Sequence, residues 1–406
     1  QLIVGKTGLE FVYEDILSGE FGNNLREVDA RGKTLDEKIS SESKVGNNLY
    51  TSLDLKSHQA AHKALNNRKG AVVAIDINDG SIVTLFSSPT FSTNQLANGI
   101  LQKDFDELLL SEEKPFFNRA LRGRYPPASS IKPAIAMYGI EEGLIDWNFS
   151  IFDEGFFTLP EDGRIYRDWK EGGHGNTNLF KAITQSSNTY FFDLAYRSDI
   201  NQLNKHLSSL GFGGKACIDC FEEDKVFVPE PSWKMNKHNF GWFKGDTVNM
   251  GVGQGYLVST PIQLAKYAYI MANKGKFSDL SLKKDLVKSE KSIEFNKFSN
   301  DDWFKLHESM VNVIEGNTGT ARRLREKKNY IVAAKTGTAE LVSGDNREQY
   351  SETRLDDSLR DHALIIAFGP MPNPRYAVSV VVENGESGGS VAGPVAISVL
   401  NSLIQE

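Results

Sequence analysis

The stretch at residues 70–88 reads GAVVAIDINDGSIVTLFSS and holds two apolar, β-branched runs on either side of Asn78-Asp79-Gly80. An Asp-Gly pair between two such runs is a strong signal for a β-hairpin. The segment just before it, HQAAHKALNN at 58–67, has the apolar spacing of a helix instead. The sequence therefore predicts a helix followed by a hairpin near the start of one compact unit.

Three further strand candidates lie near the other end of the chain, and a closing helix, AGPVAISVLNSLI at 392–404, follows them. The candidates are IVAAKTGTAE at 331–340, HALIIAFGP at 362–370 and RYAVSVVVEN at 375–384. Between about 130 and 325 the periodicity is mostly helical. Strands at both ends and helices between them predict an α+β fold, whose sheet is built from the two ends of the unit around an inserted helical region.

The composition limits the classes of protein that the chain can represent. With 406 residues, 40% of them hydrophobic, it can form one large or two ordinary domains. A net charge of −7 argues against a dedicated nucleic-acid binder, and we predict no nucleic-acid partner. No apolar run approaches the roughly 18 residues of a membrane span.

The beginning of the chain differs in character from the rest. It starts with Gln rather than Met, and no signal-peptide core follows, so we expect a fragment or a processed form whose anchor lies outside it. Residues 1–46 are charged and rich in glycine, with little apolar mass of their own. We therefore expect residues 1–46 to be the tail of a preceding domain and residues 47–406 to form the compact unit.

The two cysteines, Cys217 and Cys220, form a C-x-x-C pair. Such a pair suggests redox chemistry or half of a zinc site. A second C-x-x-C is missing and no His-x-x-x-His follows, which disfavours a structural zinc site. Two unlinked loop cysteines and a local disulfide both remain open.

The first candidate for catalytic chemistry is Ser129-x-x-Lys132, at the start of a helical segment that follows Pro126-Pro127. The i, i+3 spacing places both side chains on one helix face. A buried lysine that stays neutral can serve as the base that a serine nucleophile needs, and a helix N-terminus offers N–H groups to an oxyanion. Taken alone, the pattern is more typical of a capping serine beside a solvated lysine.

The second candidate is Ser186-Ser187-Asn188, which interrupts a predicted helix over 178–196. Polar residues of this kind are disfavoured inside helices, and such local violations are expected where function requires them. A polar kink in the helix is the alternative, because the same Ser-x-Asn pattern also occurs at Ser92 in a plain loop.

The third candidate is Lys335-Thr336-Gly337-Thr338, on the first of the late strand candidates. Glycine lets a ligand backbone approach closely, and a lysine with two threonine hydroxyls suits a carboxylate. The tripeptide Lys-Thr-Gly also occurs at Lys6-Thr7-Gly8, which we interpret as a structural glycine turn leading into a helix.

A further serine, Ser387, lies in a Gly-x-Ser-x-Gly match between a strand and a helix, the setting of a nucleophile elbow. In that architecture an acidic residue and a histidine follow the serine along the chain. No Asp and no His follows Ser387, so a glycine-rich turn is the better interpretation.

The three motifs occur in one order, each in the secondary structure that its chemistry requires. This ordered set resembles the penicillin-binding protein and serine β-lactamase superfamily. The segments NRALRGRYPPASSIKP, GVGQGYLVSTPIQ and GNTGTAR are also similar to blocks of that family, although Ala128 and Ser130 replace its usual Gly and Thr. The segment RIYRDWKEGGHGNTNLFKAITQSSN looks most like the class B, elongation-specific penicillin-binding protein 2 type.

The resemblance implies a penicillin-binding protein/serine β-lactamase-like fold, an antiparallel sheet flanked by helices with an inserted all-helical subdomain. Residues 1–46 would be the remnant of an N-terminal pedestal or linker, and 47–406 the transpeptidase domain. The implied activity is a serine D,D-transpeptidase that cross-links peptidoglycan stem peptides during cell elongation. A β-lactamase, a D,D-carboxypeptidase and a non-catalytic cell-wall scaffold are the alternatives.

The resemblance also implies a role for each motif residue. Ser129 would attack the D-Ala-D-Ala carbonyl, Lys132 would take its proton, and Ser186 would relay a proton to the leaving group. The substrate-binding residues would be Asn188 for the amide, and Lys335, Thr336, Gly337 and Thr338 for the terminal carboxylate. The backbone N–H groups of Ser129 and Thr338 would form the oxyanion hole.

The implied partners are the stem pentapeptide and β-lactam antibiotics, which would acylate Ser129. A membrane glycosyltransferase and an elongation scaffold are expected to bind through an N-terminal region outside the chain. The protein would act on the periplasmic side of the bacterial inner membrane, held there by an N-terminal helix.

Some elongation-type relatives are expected to hold zinc near the active site with two Asp, one His and one Cys. Asp153, Asp168 and His174 match the first three ligands, but Ser187 stands in place of the Cys. Because the softest ligand is lost, we predict no metal and no cofactor. The alternative role of these residues is a hydrogen-bonded loop that joins Asp168 to His174.

Overall fold

The computed structural model describes residues 4–286, 288–341 and 357–404, and these parts of the chain contain both helices and strands. The α-helices in these parts are α1 Gly8–Val12, α2 Glu14–Leu17, α3 Leu55–Leu65, α4 Thr93–Ala97, α5 Gln102–Leu110, α6 Arg119–Arg122, α7 Lys132–Glu141, α8 Leu179–Gln185, α9 Asn188–Arg197, α10 Ile200–Ser209, α11 Pro231–His238, α12 Lys244–Gly251, α13 Pro261–Ala272, α14 Asn300–Glu315 and α15 Gly393–Ile404. Tighter 3₁₀ turns occupy Ala128–Ile131, Arg322–Lys327 and Asp357–Leu359, and a π-helical turn occupies Gly388–Ala392. None of the described helices has both the length and the apolar composition needed to cross a membrane.

The strands in the same parts are β1 Asn23–Val28, β2 Thr34–Ser41, β3 Gly70–Asp76, β4 Ser81–Ser88, β5 Ser150–Asp153, β6 Phe156–Thr158, β7 Ile165–Arg167, β8 Gly175–Asn178, β9 Lys276–Ser278, β10 Glu290–Ser292, β11 Ala333–Ala339, β12 His362–Gly369 and β13 Tyr376–Val382. Five of them form the central antiparallel sheet, in the order β11-β12-β13-β3-β4. The predicted hairpin and the three late strands are all confirmed, and β13 pairs with β3 to join the two ends of the unit. The α+β fold predicted from the sequence is therefore confirmed.

The central sheet is buried on both faces, which explains why its strands read as nearly continuous apolar runs. Alternate residues of a strand point to opposite faces. Val72 of β3 belongs to one buried cluster with Leu65 of α3 and Val395 of α15. Val73 belongs to a second cluster with Ile135 of α7 and other apolar residues of the inserted region. The helices thus hold the sheet from both sides and fix the position of its edge strand, β11.

The inserted region differs from the prediction in two details. It is not wholly helical, because the pairs β5–β8, β6–β7 and β9–β10 form small two-stranded sheets within it. Strands of three or four residues are too short to show a clear alternation in the sequence. The helix predicted over 178–196 is also two helices, α8 and α9, because Ser186 between them adopts a left-handed conformation with φ of 60°.

Cys217 and Cys220 form a disulfide, so the local-disulfide alternative is the one that the structure shows. The short loop that carries it faces the first helices of the chain. Tyr13 donates a hydrogen bond to Asp219, at 2.9 Å between Oη and Oδ2, and the ring of Phe11 lies 4.3 Å from the ring of Phe221. The disulfide loop therefore forms part of the joint between the N-terminal segment and the rest of the chain.

Candidate active site

Ser129 lies on a tight turn that the backbone holds in place on two sides. The turn spans Ala128–Ile131 and runs directly into α7, and Ser129 is half-buried. Ala128 has a φ of 48° and donates its N–H to the Gly253 carbonyl at 2.8 Å. A Cβ on Gly253 would lie only 2.3 Å from the Ala128 carbonyl oxygen. The left-handed backbone at Ala128 is a conformation that glycine adopts without steric cost, so alanine is slightly strained there.

Gly337 lets β11 lie directly against the same turn. A Cβ at Gly337 would come within 3.2 Å of the Pro127 carbonyl oxygen and 3.4 Å of the Ser130 nitrogen. Since β11 is an edge strand, one side of its backbone has no strand partner within the described sheet. An extended peptide can pair with such an edge, so β11 and the Ser129 turn form two walls of a cleft.

The glycine-rich turn after β13 supports this arrangement from behind. A Cβ at Gly388 would lie 2.5 Å from the Gly337 carbonyl oxygen, so only glycine fits there. The Ser387 hydroxyl accepts a hydrogen bond from the Ser390 N–H at 3.2 Å, as a capping residue does. The prediction that Ser387 belongs to a structural turn agrees with these contacts.

The three motifs meet at Ser186. Lys132 Nζ donates to the Ser186 carbonyl at 2.8 Å and to Asn188 Oδ1 at 2.7 Å. Lys335 Nζ donates to Ser186 Oγ at 2.8 Å, and Lys132 Nζ lies 3.3 Å from that same hydroxyl. Two lysine amines therefore converge on one serine hydroxyl beside the Ser129 turn.

Both lysines are fully buried, and burial changes their proton affinity. Burial lowers the pKa of Lys132 to about 7, although the nearby negative charges of Asp168 and Asp153 raise it in part. Burial also lowers the pKa of Lys335 well below its ordinary value, and the charge of Lys132 adds to that effect. A large fraction of Lys132 is therefore a neutral amine at neutral pH, the form that can accept a proton from a serine hydroxyl.

The two threonines of the β11 motif have different surroundings. Thr336 is buried, and its hydroxyl lies 2.7 Å from the hydroxyl of Thr320. Thr338 is exposed, and its carbonyl accepts a hydrogen bond from Gln254 Nε2 at 3.3 Å. The sequence interpretation missed Thr320 and Gln254 as members of the site. Both lie in the segments GNTGTAR and GVGQGYLVSTPIQ, so their similarity to the family could have identified them.

Asp153, Asp168 and His174 form a buried cluster behind α9, with ligand atoms that all lie within 4.8 Å of one another. His174 Nδ1 is 2.8 Å from Asp153 Oδ2 and 3.8 Å from Asp168 Oδ1. Residues 168–174 form a loop in which Asp168 accepts the Lys170 N–H at 3.1 Å, but the short hydrogen bond of His174 Nδ1 joins it to Asp153 rather than to Asp168. The strand β8 begins next to His174 and pairs with β5, which ends at Asp153, and this pairing brings the two side chains together.

The donor set of this cluster does not match the zinc site that the resemblance implies. The Ser187 hydroxyl donates to Asp153 Oδ2 at 2.7 Å, and a neutral hydroxyl is not among the usual zinc ligands. Asp168 Oδ2 accepts the N–H groups of Asn188 at 2.6 Å and Thr189 at 3.0 Å. The carboxylates thus already bind protein donors at the start of α9, and we derive no chemical step through a metal.

Two family models match the sequence of this chain. The penicillin binding protein transpeptidase domain matches residues 70–401. The penicillin-binding protein dimerisation domain matches residues 1–51. Both matches agree with the resemblance inferred from the motifs.

Curated relatives and solved structures give the same result. The chain is 39% identical to the peptidoglycan D,D-transpeptidase MrdA of Acinetobacter baumannii, over 96% of this chain and 59% of that protein. It is 34% identical to MrdA of Escherichia coli, over 99% of this chain and 64% of that protein. The chain thus spans about three fifths of the length of these relatives.

PBP2 of Pseudomonas aeruginosa, solved in complex with WCK 5153, is 34% identical with a TM-score of 0.85, over 99% of this chain and 84% of that one. PBP2 of Helicobacter pylori, solved in complex with MreC, is 30% identical with a TM-score of 0.87, over 99% of this chain and 72% of that one.

Proposed function

Because the chain belongs to the penicillin-binding proteins of the PBP2 type, with their transpeptidase domain, we propose that it is a peptidoglycan D,D-transpeptidase that acts through a serine acyl-enzyme. The observation that carries the proposal is the convergence of Lys132 and Lys335 on the Ser186 hydroxyl, beside the Ser129 turn. A buried amine near its neutral form and a second buried amine beside an open strand edge suit acyl transfer to a serine.

In the proposed first step, Ser129 Oγ attacks the carbonyl carbon between the two D-Ala residues of a stem pentapeptide. Neutral Lys132 takes the hydroxyl proton, and the backbone N–H groups of Ser129 and Thr338 stabilise the oxyanion. The C–N bond to the terminal D-Ala then breaks. Ser186 passes a proton from the lysines to the leaving amine, so that D-Ala departs and an ester remains on Ser129.

The second step reverses the first with another amine. An acceptor amine of a neighbouring stem peptide attacks the ester carbonyl and the new C–N bond forms. The C–O bond to Ser129 then breaks, and the proton that the amine loses returns to Ser129 Oγ through Lys132. Asn188 would hold the amide of the donor peptide, since its Oδ1 is already oriented by Lys132. Lys335, Thr336, Gly337 and Thr338 would bind the terminal carboxylate along the edge of β11.

We further propose the domain division and the cellular setting. Residues 1–46 would be the remnant of the pedestal or linker and 47–406 the transpeptidase domain. The matches of the dimerisation model to 1–51 and of the transpeptidase model to 70–401 support this division. The whole protein would act on the periplasmic side of the inner membrane in cell elongation, with a glycosyltransferase and a scaffold protein as partners. The solved complex of Helicobacter pylori PBP2 with MreC supports the kind of partner.

Labelling with a fluorescent penicillin followed by mass spectrometry tests the function. We expect one stable covalent adduct on Ser129, absent in Ser129→Ala and present in Ser387→Ala, the matched serine of the structural turn. No adduct in the unmodified protein would contradict the proposal, and rapid release of hydrolysed drug would indicate a β-lactamase instead. Metal analysis of the same preparation is expected to find no stoichiometric zinc.

A further inference from the structure

The indole of Trp169 contacts the active site at a point that the motifs do not include. Trp169 follows β7, and its Nε1–H donates to the Ser186 carbonyl at 3.1 Å. Lys132 Nζ donates to that same carbonyl oxygen at 2.8 Å. The indole ring lies against the imidazole of His174, with 5.6 Å between ring centroids, although 60% of Trp169 remains exposed. The donor atom is thus held in place at the rim of the cleft.

Ser186 needs such support because of its backbone. Its φ of 60° lies in the left-handed region, which strains a residue other than glycine and persists only where the surroundings impose it. Asp168 accepts the Asn188 N–H at 2.6 Å on one side of the motif, and Trp169 donates to the Ser186 carbonyl on the other. Two consecutive residues therefore clamp the Ser186–Asn188 turn from both ends.

We propose that Trp169 is a positioning residue for the acylation of Ser129, which holds the Ser186 carbonyl and thereby controls how strongly that carbonyl binds the Lys132 amine. The inference rests on the proposed function. A carbonyl oxygen has two lone pairs, and here two donors share them. Without the indole donor, the carbonyl becomes a better acceptor for Lys132 and favours its charged ammonium form. The neutral base that acylation requires becomes scarcer at neutral pH.

Three charged or titratable groups face Lys132 from the elements around it. Lys335 lies on β11, Asp153 ends β5, and Asp168 precedes Trp169. None of these groups changes when Trp169 is replaced by Phe, which keeps a six-membered aromatic ring and removes the N–H donor together with the five-membered ring. A change in the pH dependence of acylation would therefore come from the lost hydrogen bond.

The test measures the rate of acylation by a fluorescent penicillin from pH 5.5 to 9.5. Because a hydrogen bond is worth about 0.5–1.5 kcal/mol, we expect Trp169→Phe to lose about two- to sevenfold in rate at pH 7. The acid limb of its rate–pH profile should move to higher pH, and most of the lost acylation rate should return at pH 9. Trp169→Gln, which offers an N–H donor and adds no titratable group, should recover part of the loss. The control is Trp147→Phe, because the Trp147 indole donates to Asp302 at 2.8 Å in the inserted region.

Each outcome has one meaning. A pH profile for Trp169→Phe that matches Trp147→Phe would overturn the inference. A rate lowered by the same factor at every pH would also overturn it, since that result indicates a merely structural role. No adduct on Ser129 of the unmodified protein would instead contradict the proposed function. Thermal unfolding of each variant confirms that it is folded before its rate is compared.

Discussion

The chain contains the tripeptide Lys-Thr-Gly twice, in two regions that differ in almost every physical respect. Lys6 and Thr7 are exposed, and Gly8 begins the short helix α1 with a φ of 63°. Lys335, by contrast, is fully buried on β11, in register with Ile366 of β12. The same three residues thus form a linker turn in one place and a wall of the cleft in the other.

The partners of each copy explain the difference. Thr7 donates a hydrogen bond to Glu222 at the surface, next to the disulfide loop. Lys335 donates to the Ser186 hydroxyl, and Thr336 bonds to the buried Thr320 hydroxyl. An exposed polar contact adds little free energy, whereas a buried polar group that loses its partner is costly. Burial and convergent partners, rather than the tripeptide itself, therefore create the reactive site.

Replacing the lysine of each copy by alanine gives the largest expected difference. Lys335→Ala removes the buried amine beside the carboxylate subsite and leaves the Ser186 hydroxyl without that donor. We expect acylation of Ser129 by a fluorescent penicillin to slow by at least about 100-fold, since removing one preorganised electrostatic group costs about that much. Lys6→Ala should stay within about twofold, because substitutions at exposed positions rarely matter. Equal rates in the two variants would refute the contrast.

The two lysines should also differ in their effect on stability. The folded-state pKa of Lys335 is lowered by burial, whereas an unfolded chain titrates near 10.4. Between that lowered pKa and 10.4 the unfolded state therefore binds more protons, so this group destabilises the folded state at neutral pH, and the penalty shrinks as the pH rises toward 10.4. Methionine has a similar length and carries no charge.

We therefore expect Lys335→Met to raise the free energy of unfolding at pH 7 by about 1–2 kcal/mol while it abolishes acylation, a trade of stability for function. The gain should be smaller at pH 9. Urea unfolding at both pH values measures it, and Lys6→Met serves as the control with a change within about 0.5 kcal/mol. A loss of stability in Lys335→Met would show that the hydrogen bond to Ser186 outweighs the cost of burying the amine.

The fold could be predicted from the sequence where the pattern was strong. The hairpin around Asn78-Asp79-Gly80 and the apolar late strands were correct because a sheet buried on both faces leaves a clear composition. The short strands β5 and β8 were missed, because four residues with mixed polarity carry no period. The break between α8 and α9 was read as a polar interruption within one helix, since no glycine or proline marks the left-handed Ser186.

The candidate site was predictable in its members but not in its connections. Ser129, Lys132 and Lys335 are separated by up to about two hundred residues in the chain, and only the order of the motifs joined them. Contacts that use backbone atoms do not require a particular residue type, so the sequence does not reveal them. Trp169 acts on the Ser186 carbonyl, and Asp168 accepts the Asn188 N–H, so neither could be assigned from the sequence alone.

The smallest effect on acylation is expected from a change near the first Lys-Thr-Gly copy, Lys6-Thr7-Gly8. The disulfide fixes the loop that carries Asp219 and Glu222, and these side chains bind Tyr13 and Thr7 of the N-terminal segment. The double variant Cys217→Ser/Cys220→Ser should lower the free energy needed to open this joint by up to about 2 kcal/mol, which is the loop-closure entropy of so short a loop. Amide hydrogen exchange in α1 and α2 should accelerate by about tenfold, because local opening then costs less.

Acylation of Ser129 in the same variant should stay within about twofold, since the site is held by the central sheet and the inserted region rather than by the joint. Thr7→Ala is the matched control, which removes one exposed contact and keeps the cross-link, and it should change exchange far less. Unaltered exchange in the double variant would mean that the apolar contact of Phe11 with Phe221 is enough to hold the segment. Slower acylation would mean that the joint and the active site are mechanically connected. The two Lys-Thr-Gly regions would then not be independent of each other.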